Sequence, residues 1–147
     1  MRALVQRVSE ASVLVQGRVT GSIGPGLLVL LGIRFDDTKT RADLLARKVV
    51  QLRIFPDDEG KMNRSVADIS GELLIVSQFT LYGDTSKGNR PSYSQAANPE
   101  LARRLYEYFI ESCRNWHLSV ATGIFQAHME VHSVNDGPVT LLCYSEA

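Results

Sequence analysis

Apolar residues along the chain fall mostly into short strand-like runs, interrupted by two longer stretches with helical spacing. Residues 3–8 and 12–16 are two short runs rich in Val and Leu. Gln16-Gly17-Arg18 predicts a turn, from which residues 18–23 return as a partner strand. Gly24-Pro25-Gly26 predicts a tight connection into Leu27-Leu28-Val29-Leu30-Leu31-Gly32-Ile33. That run is apolar on both faces and predicts a central, doubly covered strand.

Asp36, Asp37 and Thr38 offer helix caps, and Ala42, Leu45, Val49 and Leu52 follow at helical spacing, predicting a helix over residues 38–52. Arg41, Arg47 and Lys48 form its solvated face. Arg53-Ile54-Phe55 resumes a strand that turns at residues 56–60. Residues 72–80 read as one strand, in which Ser77 and Phe79 face one way and Gln78 and Thr80 the other. A polar loop spans 83–92. Asn98 caps a second helix with Pro99 at its first position, and Leu101, Leu105, Tyr108 and Phe109 line its inner face. Strands at 127–134 and 138–144 flank a turn at Asn135-Asp136-Gly137-Pro138. The pattern predicts one α+β domain over residues 1–147, mostly antiparallel sheet with two main helices.

Composition narrows the picture. The 147 residues, 44% hydrophobic and 22% charged, suit an ordinary globular domain. No apolar run approaches the ~18 residues that span a bilayer. Charge at Arg2 and Arg7 breaks any leader-like run, so the cytoplasm is the expected compartment and no membrane partner is expected. Lys plus Arg equals Asp plus Glu at 16 each, which excludes a strongly basic nucleic-acid coat protein and leaves a local patch for any RNA contact. Cys113 and Cys143 stand far apart in apolar surroundings and read as two buried reduced thiols.

Several chemistries fail on spacing. His128 and His132 lie on a predicted strand, where four residues separate them by about 13 Å, too far to share one ion. No metal or cofactor is expected. The chain has no GxSxG nucleophile elbow, no P-loop and no dinucleotide fingerprint. Two segments remain. Ser77-Gln78-Phe79-Thr80 gathers three hydrogen-bonding side chains where an apolar strand emerges, and the strand's last N–H groups could bind an oxyanion. Asn135 to Thr140 gathers turn residues around a Gly-Pro bond, one of the few that takes the cis form at modest cost.

Together these segments resemble the SQxT and NxGPVT motifs of bacterial and eukaryotic D-aminoacyl-tRNA deacylases. Residues 1–8, Gly24 to Leu28, Lys61-Met62-Asn63 with Ser65, and Gly88-Asn89-Arg90-Pro91-Ser92 are similar to further family positions. The resemblance implies a deacylase fold with a barrel-like core and a homodimer with sites at the subunit interface. It implies hydrolysis of the ester joining a D-amino acid, or glycine mischarged on tRNA-Ala, to the terminal ribose of tRNA. It makes Ser77, Gln78, Phe79 and Thr80 the catalytic segment. Asn135, Gly137, Pro138, Val139 and Thr140 become the chiral gate, with Gly137-Pro138 as a Gly-cisPro element reaching into the partner's pocket. Arg7, Lys87 and Arg90 are the candidate tRNA contacts.

Two routes of attack stay open. Thr80 could act as nucleophile, but no activating base stands beside it in sequence. Water assisted by the substrate's own 2′-hydroxyl fits better, because neither motif holds a histidine, and the sole carboxylate, Asp136, occupies a variable position. Two other functions compete: a related deacylase group that clears L-alanine, and a nucleic-acid-binding accessory role without catalysis.

Overall fold

The computed structural model describes residues 1–145. Its strands are β1 (Arg2–Val15), β2 (Arg18–Ile23), β3 (Gly26–Gly32), β4 (Phe55–Pro56), β5 (Met62–Arg64), β6 (Glu72–Ser77), β7 (Ser119–Thr122) and β8 (Glu130–Tyr144). The helices are α1 (Lys39–Gln51) and α2 (Pro99–Arg114). Both start where their caps predict. Thr38 Oγ1 accepts from the Arg41 N–H at 3.3 Å, and Asn98 Oδ1 accepts from the Leu101 N–H at 2.9 Å.

Six strands form one sheet in the order β2-β1-β3-β6-β7, with β8 along the other side of β1. β1 is antiparallel to β2, β3 and β8, whereas β3–β6 and β6–β7 are parallel. Parallel neighbours need a crossover, and α1 and α2 lie in the two crossovers. The sheet curls until β2 meets β7, giving the barrel-like α+β core.

Alternation on the central strands shows why they are apolar on both faces. Val29, Leu31, Leu73 and Ile75 pack beneath the helices with Leu45, Val49, Leu105 and Phe109. Leu28, Leu74 and Val76 point into the curl, against Val8, Val13 and Ile23. Each such side chain contributes roughly 1.5–3 kcal/mol on full burial. Cys113 and Cys143 are buried and free, and burial pushes the Cys113 thiol up to about 12.

Three expectations are corrected. Residues 3–8 and 12–16 are one strand, because β8 pairs with β1 on past the exposed Ser9 and Glu10. The strand at Arg53-Ile54-Phe55 shrinks to Phe55–Pro56, paired with β5. The two predicted C-terminal strands are also one: β8 runs through Asn135–Thr140 without a hairpin. No helix of the described residues is long and apolar enough to cross a membrane.

Candidate active site

The first motif sits where β6 leaves the sheet. Ser77 lies opposite Leu31 in the parallel ladder, and the Gln78 N–H donates to the Leu31 carbonyl at 2.7 Å. The strand predicted to reach Thr80 stops there, and Phe79–Tyr82 form a single 3-10 turn. The turn closes through the Leu81 N–H to the Gln78 carbonyl and the Gly83 N–H to the Thr80 carbonyl, at 3.2 and 2.9 Å. It folds back over Gly32, where a Cβ would lie 3.0 Å from that of Leu81 and 3.2 Å from the Gln78 carbonyl oxygen. A side chain at residue 32 would therefore push the turn away.

This geometry replaces the expected strand alternation. The N–H groups of Phe79 and Thr80 open the turn and have no acceptor within it. The Gln78 side-chain amide donates to Thr80 Oγ1. Phe79 is 54% exposed and meets Tyr93 edge to face at 5.1 Å.

A cleft of about 650 Å³ opens at this point, lined by Ser77, Gln78, Phe79, Tyr93, Phe125 and His128 among others. Tyr93, Phe125 and His128 line the cleft, although the sequence does not mark them for it. They come from connections without periodicity, and nothing in the sequence joins them to Ser77. The alternating pattern in the sequence places His128 on a strand with His132. In the structure His128 precedes β8 and lines the cleft, while His132 lies 3.5 Å from Glu130.

The second motif is a bulge. Gln6 pairs with Thr140 and Val8 with Asn135, so residues 136–139 of β8 stand opposite Arg7 of β1. Asn135 clamps this loop: its Oδ1 accepts from the Val139 N–H and its Nδ2 donates to Thr140 Oγ1, both at 2.9 Å. Gln6 Nε2 donates to the same hydroxyl at 3.3 Å. Gly137 has φ +140°, and the Gly137–Pro138 peptide bond is cis. A Cβ at Gly137 would lie 2.8 Å from Val139 Cγ2 and 3.0 Å from Arg7 Nη2.

Arg7, a candidate RNA contact, is turned inward. Its Nε donates to the Asp136 carbonyl at 2.9 Å and its Nη1 to the Ile54 carbonyl at 2.7 Å, leaving the side chain 12% exposed. Lys87 and Arg90 are exposed on the loop leading to Tyr93. The residues lining the cleft include none of 135–140. Within one protomer, this cleft does not bring the two motifs together.

Fold and comparisons together first place the chain among deacylases, hydrolases that cleave acyl bonds. More particularly, it belongs to the D-Tyr-tRNA(Tyr) deacylase family, whose model matches residues 4–144. A D-aminoacyl-tRNA deacylase from Thermosipho africanus is 59% identical over 99% of this chain and 98% of its own length. One from Desulfotalea psychrophila is 58% identical with the same coverage. Among solved structures, the c-Myc DNA Unwinding Element Binding Protein matches with a TM-score of 0.94 at 44% identity, covering 100% of both chains. A probable eukaryotic D-amino acid tRNA deacylase matches at 0.83 over 97% of both chains. At 18% identity, that likeness speaks for the fold.

Proposed function

We propose that this protein hydrolyses the ester of D-aminoacyl-tRNA, and of glycyl-tRNA mischarged on tRNA-Ala, releasing the free amino acid and tRNA. The cleft takes the acylated terminal adenosine, with the scissile carbonyl at the start of the 3-10 turn. There the Phe79 and Thr80 N–H groups receive the oxyanion as it forms, Ser77 hydrogen-bonds the substrate, and the Gln78–Thr80 pair holds the turn. Water attacks with help from the substrate's 2′-hydroxyl. The Thr80 hydroxyl has the Gln78 amide as its neighbour, and an amide is no general base.

The working unit is a homodimer. The observation that carries this reading is that Ser77, Gln78 and Phe79 of the first motif line the cleft, and nothing of the second motif does. β8 pairs with β1 on one side and exposes Val131, Val134, Leu141, Leu142 and Tyr144, Val134 by 50% and Leu142 by 43%. A long, apolar edge strand of this kind invites a second copy. Gly137-Pro138 then enters the partner's cleft as a rigid wall, whose carbonyl groups accept from the α-ammonium and whose bulk excludes an L side chain. D- and L-acyl groups have the same composition, so fixed contacts around the α-carbon must separate them. A D side chain points away from the wall, which leaves its identity free.

The reading is tested by following hydrolysis of D- and L-tyrosyl-tRNA, and of L-alanyl-tRNA, by the dimer. Hydrolysis of the D substrate with the L substrate spared supports it. Loss of L-alanyl-tRNA instead supports the related group, and RNA binding without hydrolysis supports an accessory role.

A further inference from the structure

Phe125 links two features of the surface. It lines the catalytic cleft and also borders a neighbouring groove of about 460 Å³ between α2 and the end of β7. It is held from within by Tyr106, whose ring lies 5.8 Å away. On top of it sits Arg103 of α2, with its guanidinium carbon 4.9 Å from the ring centroid. Arg103 is exposed, and no carboxylate among the described residues pairs with it. A planar cation stacked on a fixed ring has lost much of its rotamer freedom and keeps its N–H fork directed at solvent.

We propose that Arg103 grips the phosphodiester immediately 5′ of the acylated terminal nucleoside, from its seat on Phe125 at the rim of the cleft. The proposal rests on the deacylase reading for what fills the cleft. With the nucleoside inside, its 5′-phosphate is the first charged group to emerge, and a stacked guanidinium matches it in charge and in bidentate geometry. The contact is confined to one phosphate. Glu107 and Glu111 line the groove beyond, and Arg114 there is already paired to Glu111 at 2.6 Å. The groove is therefore not a continuing RNA track, which agrees with equal numbers of basic and acidic residues in the chain.

The test compares wild type, R103Q and R104Q on two substrates, D-tyrosyl-tRNA and 3′-O-D-tyrosyl-adenosine, which lacks the phosphate. R104Q removes a charge from the same helix outside cleft and groove. The expected result is that R103Q raises KM for the tRNA about fivefold with kcat unchanged, and flattens the slope of log KM against log salt by roughly 0.7. On the adenosine ester R103Q and wild type agree, and R104Q matches wild type on both substrates. Equal losses on both substrates, or an unchanged KM and salt slope for the tRNA, overturn the proposal. If wild type hydrolyses neither ester, the deacylase reading falls separately. R103Q must then still weaken binding of a CCA-ended RNA by the same factor, and equal binding overturns the contact.

Discussion

The two motifs are held in opposite ways. Ser77-Gln78-Phe79-Thr80 continues a strand paired on both sides and buried on both faces, and its position is set by backbone hydrogen bonds to β3 and by the packing of the turn on Gly32. Asn135 to Thr140 bulges out of a strand with one neighbour, and side chains pin it: Asn135 across its base, Arg7 at Asp136, Gln6 at Thr140. The first segment should therefore tolerate loss of its own side chains and fail when its backbone donors go. The second should fail when single side chains are removed or added.

Deleting a donor gives the largest effect. Phe79 stands first in the 3-10 turn, a position where proline fits the backbone while removing the N–H. F79P should lower kcat about 10²- to 10³-fold relative to F79A, which loses only the ring, as measured by single-turnover deacylation. The gate comes next. G137A places a methyl at φ +140° against Val139 and Arg7, and should reduce both D-turnover and the D/L selectivity ratio at least about tenfold. N135A leaves the Val139 N–H without its acceptor. It should cost about 1–3 kcal/mol in urea unfolding and lower D/L selectivity without changing the cleft. Smallest is T80A. With water as the attacking group, turnover falls by no more than about tenfold. A trapped threonyl ester in wild type, or complete loss in a folded T80A, would restore Thr80 as the nucleophile.

The same contrast governs what the sequence made legible. Both helices, their caps and the doubly covered strands were readable, because capping and burial on two faces write directly into residue type. Both motifs were readable as segments. Their three-dimensional roles were not. The end of β6 at Ser77 depends on how the turn packs on Gly32, a tertiary fact. The turn residues at 135–138 form a bulge because β1 runs on beside them, and a bulge and a hairpin favour the same residues. β7 is four residues long, too short for a periodic signal. The cleft walls at Tyr93, Phe125 and His128 are brought together from separate connections.

The central claim is that platform and gate of each site come from different subunits, and a mixed dimer tests it directly. F79P and G137A chains carrying different tags are co-expressed and the heterodimer is purified. If the site is shared, one cleft pairs both defects while the other combines an intact platform with an intact gate. Such a heterodimer should recover about half of wild-type D-tyrosyl-tRNA hydrolysis with full discrimination against the L ester. A heterodimer no more active than the mean of its two parents, with the selectivity of the G137A parent, would contradict the claim.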